Sequence, residues 1–184
     1  MRIITGKARG LKLKTPKGFT TRPTSDRIKE SIFNILNGLI DFEDKIILDL
    51  FAGTGALGLE ALSRGAAHAT CIDIETTHII NDNIIHARFN KMSEVIRGDV
   101  IKVLNKFSVN SRQFDIIFCD PPYNKGLWQR ALNEVDNLNL LKNNGLIIIE
   151  HGLNETIDQP LKLALIKQKK YGHTTSVDFF QKVD

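Results

Sequence analysis

"KIILDLFAGTGALG" (residues 45–58) decides the fold. A six-residue apolar run, KIILDL, ends at a turn carrying glycines at 53, 55 and 58, and a helix-forming stretch follows. Glycines at that spacing let backbone approach a ligand closely and let the chain reverse from strand into helix. The pattern is weak alone, because glycines serve any tight strand-to-helix turn. The surrounding chain supplies the context.

Four further apolar runs follow at helix-length intervals: HATCID (68–73), SEVIRGD (93–99), FDIIFCD (114–120) and GLIIIE (145–150). Runs that are apolar on both faces and separated by helices predict a parallel sheet with helices on each side. LALIKQKKYG and TTSVDFFQKV flank Tyr171, Gly172 and His173 and predict a closing antiparallel hairpin. Ahead of the first run, Thr24 or Ser25 caps a helix whose apolar stripe is Ile28, Ile32, Phe33, Ile35 and Leu36, ending before Gly38. The fold class is α/β.

Ligands of such sheets bind beyond the carboxyl ends of the strands, and here those ends are acidic. Asp49 closes the first run, Asp73 the second, Asp99 the third and Asp120 the fourth. Asp73 stands twenty residues after Gly53, where a carboxylate accepts two ribose hydroxyls. Asp99 is placed to meet an adenine edge. A glycine loop followed by a ribose-binding acid suits a nicotinamide dinucleotide or S-adenosylmethionine. The acid four residues before Gly53 favours the second, since a pyrophosphate at the helix N-terminus would be repelled whereas an ammonium and a sulfonium would be attracted.

"FCDPPYNKG" (118–126) places an acid, two prolines and a tyrosine directly after a strand. An exocyclic amine on a nucleobase is a poor nucleophile because its lone pair is delocalised into the ring. Asp120 and the Pro121 carbonyl can each accept one of its N–H groups, while Pro121 and Pro122 stiffen the loop. Tyr123 offers a face for a flipped-out base, worth about 1–3 kcal/mol of stacking.

Composition bounds the alternatives. The 184 residues suit one compact domain with a small appendage, and 42% hydrophobic with 25% charged residues reads as globular. No apolar window is long enough for a membrane span and MRIITGKARG lacks a signal-peptide core, so a cytoplasmic protein is expected. Cys71 and Cys119 end apolar runs and read as buried thiols, and the five histidines lack metal-site spacing, so no metal is expected. Residues 1–30 hold nine basic against two acidic side chains, in a chain of net charge +4. Ile3, Ile4, Leu11 and Leu13 interleave with Arg2, Lys12 and Lys14, which predicts a short hairpin with a basic face for a polyanion.

"LDLFAGTGALGLEALSRGA", "CIDIE", "GDV" and "FCDPPYNKG" resemble the motifs of class I S-adenosylmethionine-dependent methyltransferases, and "DPPY" is similar to the catalytic motif of the amino-methylating branch. That motif also serves DNA adenine-N6, cytosine-N4 and protein glutamine enzymes. "MRIITGKARGLKLKTPKGFTTRPTSDRIKESIFNIL" resembles the RsmD-type 16S ribosomal RNA guanine-N2 methyltransferase family, and the resemblance runs through the "YGHTTSVDFF" hairpin. It implies a Rossmann-like, mostly parallel seven-stranded sheet with an antiparallel C-terminal hairpin and a small basic N-terminal β-hairpin. The corresponding division is a hairpin extension at 1–23 and a methyltransferase domain at 24–184.

The implied reaction moves a methyl group from S-adenosylmethionine to N2 of a guanine in small-subunit RNA, the one at position 966, releasing S-adenosylhomocysteine. The alternative is a DNA adenine-N6 or other amino methyltransferase. By resemblance Asp49, Ala52, Gly53 and Gly55 line the methionine end of the cofactor, Asp73 takes the ribose, and Asp99 with Val100 faces the adenine. Asp120, Pro121, Pro122 and Tyr123 form the target site. Lys7, Arg9, Lys12 and Lys14 contact phosphate, Arg22, Thr24 and Arg27 close over the cofactor or hold a phosphate, and the enzyme acts as a monomer on RNA within an assembling small subunit.

Overall fold

The computed structural model describes residues 1–16, 23–122, 126–153 and 162–183, with side chains from residue 26 onward in the second stretch. Arg22, Tyr123 and the side chain of Thr24 lie outside the described residues, as does the end of the expected 1–23 extension. The chain divides into two compact units, Met1–Arg97 and Gly98–Asp184.

The first unit holds α1 (Pro23–Leu36), β1 (Ile46–Leu50), α2 (Ala56–Ser63), β2 (His68–Asp73), α3 (Thr77–Ala87) and β3 (Ser93–Arg97). Its strands run parallel in the order β3-β2-β1, with Asp49 beside Cys71 and Asp73 beside Arg97. The α1 stripe is buried at Ile28, Ile32, Phe33 and Leu36 as its period requires. Phe33 packs on Phe42 at 5.5 Å and lies under the Arg64 guanidinium at 4.6 Å. Burying such a ring contributes about 1.5–3 kcal/mol.

Residues 1–14 belong to this unit and are bound to it closely. They turn back through one antiparallel bridge, Arg2 with Lys12, and bury Ile3 and Leu13 while Arg2, Lys7, Arg9, Lys12 and Lys14 stay exposed. The alternation in the sequence thus appears as one apolar and one basic face. Gly6 is pressed against α2 so tightly that an added Cβ would lie 1.7 Å from the Ser63 carbonyl oxygen.

The second unit holds α4 (Val100–Val109), β4 (Phe114–Cys119), α5 (Leu127–Asn137), β5 (Leu141–Gly152), β6 (Leu163–Tyr171) and β7 (Thr175–Lys182). β4 and β5 are parallel, β7 is antiparallel to β5 and β6, and the order is β4-β5-β7-β6. The C-terminal hairpin is as expected. β5 begins earlier than its apolar run, because Lys142–Asn144 are partly or fully exposed and Asn144 takes a left-handed φ of 60°. Polar exposed residues of that kind carry no strand signal. Cys71 and Cys119 are buried free thiols. Among the described residues no helix is long and apolar enough to cross a membrane.

Candidate active site

The turn after β1 departs from ordinary backbone at three alternate positions: Phe51 (φ 58°), Gly53 (58°) and Gly55 (77°) are all left-handed. Glycine meets that demand without steric cost, whereas Phe51 stores on the order of 1–3 kcal/mol of strain. Surrounding hydrogen bonds hold the shape. Ala52 donates to the Ile72 carbonyl at 2.9 Å, and Gly55 donates to the Ala52 carbonyl at 2.7 Å. Gly58 serves packing instead: a Cβ there would lie 3.1 Å from the Cys71 sulfur and 3.3 Å from Asp49 Oδ2.

Asp49 is 1% exposed and its Oδ2 accepts the Gly58 N–H at 2.9 Å. Burial pushes its carboxyl up to about 7 against the pull of that hydrogen bond, and the Asp73 charge pushes the same way. The Cys71 thiol beside it is pushed well above its ordinary value by burial and by Asp49. Asp49 is therefore a buried anchor for the start of α2 through Gly58.

Asp73 is half-buried and joins the loop to the next helix. Its Oδ2 accepts the Gly53 N–H at 2.9 Å, and its Oδ1 accepts Glu75 and Thr76 N–H groups at 2.8 Å each. Burial raises its carboxyl, but the backbone donors of Thr76, Glu75 and Gly53 outweigh burial and hold it below the ordinary aspartate range. The group is an anion at neutral pH. Three backbone donors thus share a carboxylate with about four acceptor positions, and the Thr76 hydroxyl also lowers its pKa, where the sequence suggested two positions given to ribose hydroxyls.

Asn83, Glu60 and Lys29 were not selected by motif, yet all are buried in this unit. Glu60 on α2 accepts the N–H groups of Ile4 at 2.7 Å and Thr5 at 3.1 Å and pairs with Lys29 at 3.4 Å and Arg64 at 2.9 Å. Burial lowers the Lys29 pKa despite its carboxylate neighbours Glu60 and Asp26. A signal for Glu60 existed: it is the single charge in the helix ALGLEALS. Asn83 likewise interrupts the apolar stripe Ile79, Ile80, Ile84, Ala87 of α3.

In the second unit Asp99 is the N-cap of α4, its Oδ1 accepting the Lys102 N–H at 3.1 Å, and Val100 is buried. Asp120 follows the buried end of β4 and is exposed, Pro121 is buried and Pro122 is exposed. The helix after this segment, α5, is fixed at its start by Trp128, which stacks on His151 at 4.8 Å. His151 pairs with the fully buried Asp178 at 3.2 Å, and Ser176 donates to the same carboxylate at 2.8 Å. Burial raises the Asp178 carboxyl, while His151, Ser176 and Gln168 together lower it below its ordinary value.

The family model described as "Conserved hypothetical protein 95" matches residues 1–181. The ribosomal RNA small subunit methyltransferase D of Buchnera aphidicola is 36% identical over 169 residues, covering 91% of this chain and 86% of that protein. The protein of the same name from Escherichia coli K12 is 34% identical, covering 94% of this chain and 85% of that one. The chain belongs to this family.

A solved Escherichia coli structure matches with a TM-score of 0.83 at 32% identity, covering 99% of this chain and 97% of that one. A Thermus thermophilus structure gives 0.81 at 27% identity, covering 97% and 98%. The fold is accordingly the Rossmann-like class I methyltransferase fold, a mostly parallel seven-stranded sheet with an antiparallel C-terminal hairpin. The RsmD resemblance read from the sequence is thereby borne out.

Proposed function

We propose that this protein is an S-adenosylmethionine-dependent methyltransferase of ribosomal RNA, acting on the exocyclic N2 amine of a guanine in 16S RNA. The family member names support rRNA methylation. The observation that carries the chemistry is Asp120 followed by two prolines at the end of β4, an exposed carboxylate on a stiff backbone. The guanine and its position come from the family resemblance.

The residues present fit the cofactor. Asp73 is an anion bound to the Gly53 N–H, and the glycines at 53 and 55 let the loop backbone approach a ligand without Cβ groups. When bound, S-adenosylmethionine supplies an electrophilic methyl on a sulfonium. Asp73 holds a ribose hydroxyl, and Asp99 and Val100 border the adenine. The loop at Ala52, Gly53 and Gly55 accommodates the methionine end, with Asp49 anchoring the start of α2 through Gly58.

The target amine is handled by the DPPY segment. Asp120 and the Pro121 carbonyl each accept one N–H, which draws the nitrogen towards a tetrahedral geometry and aims its lone pair. Tyr123 stacks on the flipped base. Position and exclusion of water supply the rate, because the leaving group is activated by its own charge. Arg2, Lys7, Arg9 and Lys12 lie exposed on the N-terminal segment, suited to phosphates of an RNA within an assembling particle, and the enzyme works as a cytoplasmic monomer.

Incubation with methyl-labelled S-adenosylmethionine and free 16S RNA, small subunits or DNA, followed by nucleoside mass spectrometry, tests the assignment. Label in N2-methylguanosine from RNA is expected. Label in N6-methyladenine from DNA would replace the substrate assignment, and no transfer to any of the three would remove it.

A further inference from the structure

Asn83 is 1% exposed and spends its whole carboxamide on backbone. Its Oδ1 accepts the Lys14 N–H at 2.7 Å, and its Nδ2 donates to the Lys14 carbonyl at 3.1 Å and to the Thr54 carbonyl at 2.9 Å. A reversed amide would set oxygen against two carbonyls, so these partners fix its orientation. One side chain thus joins the N-terminal segment to the glycine loop, across 69 and 29 positions of chain.

The Thr54–Gly55 peptide is gripped at both ends. Its carbonyl accepts from Asn83, and its N–H donates to the Ala52 carbonyl. Glycines on either side of Thr54 would otherwise let that peptide rotate. The segment side of the clamp is equally fixed: Glu60 accepts the Ile4 and Thr5 N–H groups, Ser63 Oγ donates to the Thr5 carbonyl at 2.6 Å, and Lys14 pairs with Asp82 at 3.0 Å.

We propose that Asn83 is a positioning residue for the cofactor loop, and that the backbone of the N-terminal segment, clamped at Lys14, is a structural part of the cofactor site as well as a carrier of basic side chains. It rests on the assignment of the Gly53–Gly55 loop to S-adenosylmethionine. Removing the carboxamide orphans three buried or part-buried backbone groups and frees the Thr54–Gly55 peptide. The consequence falls on cofactor affinity, because the loop loses its binding shape before any reacting atom is touched.

Titration calorimetry with S-adenosylhomocysteine on the full chain tests this, together with kcat and the cofactor KM. Asn83→Ala and the isosteric Asn83→Asp are expected to bind about tenfold or more weakly, with KM raised in step and kcat within about threefold of wild type. In Asn83→Asp the affinity relative to wild type should recover as pH falls from about 8 to about 6, since a protonated carboxyl regains one donor. Lys7→Ala, Arg9→Ala and Lys12→Ala combined should bind S-adenosylhomocysteine as wild type does while losing RNA affinity. Unchanged affinity in a folded Asn83→Asp or Asn83→Ala overturns the proposal, and so does an equal loss of cofactor binding in the triple variant. An Asn83→Ala chain that does not fold leaves the decision to Asn83→Asp, whose shape is that of the native side chain. Wild-type protein that binds no S-adenosylhomocysteine, or Asp73→Ala that binds it unweakened, would instead remove the cofactor assignment and the proposal with it.

Discussion

The loop after β1 and the segment after β4 both leave a buried strand, yet they are built in opposite ways. Around the loop after β1 each carboxylate is committed to backbone: Asp49 of β1 to Gly58, and Asp73 at the end of β2 to Gly53, Glu75 and Thr76. After β4 the acid stands exposed, and stiffness comes from the two prolines that follow it. The first arrangement is a cradle fixed by those hydrogen bonds and the second a platform stiffened by proline. A difference of this kind separates effects: changes in the cradle should act on stability and affinity, and changes in the platform on turnover.

Glu60→Ala offers the largest test of the cradle side. It would remove the carboxylate paired with Lys29, 3% exposed, leave Asp26 as a neighbouring acid, and orphan the Ile4 and Thr5 N–H groups. Chemical denaturation should show a loss of about 3–5 kcal/mol. A loss below about 1 kcal/mol would mean that the segment does not depend on the Glu60 cluster for its attachment.

Asp49→Asn should act in the stabilising direction, and with a defined pH dependence. The folded carboxyl is raised to about 7 from 3.8, so between those values the native state keeps a proton that the unfolded chain has released. Wild-type stability from this group therefore falls as pH rises from about 4 to about 7 and is level above. Asparagine, which does not ionise, should make the cofactor-free protein more stable than wild type by up to about 4 kcal/mol above pH 7, shrinking towards zero near pH 4. Melting curves across that range check it, and a constant difference at all pH values would show that Asp49 ionises as freely as in the unfolded chain.

On the platform side, Asp120→Ala should lower turnover at least about a hundredfold with S-adenosylhomocysteine affinity near wild type. Loss of affinity without loss of turnover would erase the distinction between the two regions. The smallest effect belongs to the basic face. Replacing Lys7, Arg9 and Lys12 by alanine should reduce the salt slope of RNA binding by up to about three units, and Lys14, already paired with Asp82, should add least. An unchanged slope would place the phosphate contacts elsewhere.

Most of the fold was legible because its signals are local. Apolar runs marked β1 to β4 and β7 closely, and a 3.6-residue stripe marked α1. β5 was seen only in its buried part, since Lys142, Asn143 and Asn144 carry no apolar pattern. The site was legible as a set of motifs, but the work of each acid was not. Asp49 read as a cofactor-lining group, and nothing local announced that it is buried and holds the Gly58 N–H of α2. Asp73 read as free for two hydroxyls, whereas backbone donors occupy most of it.

By itself the sequence determined where strands and helices form, which turns need glycine and which family the chain belongs to, since all of these depend on neighbours along the chain. Only the tertiary structure decided which polar groups are buried and what they hold. Glu60 meets Ile4 across 56 positions and Asn83 meets Lys14 across 69, and the cost of burying such groups is met by partners that no local pattern can name.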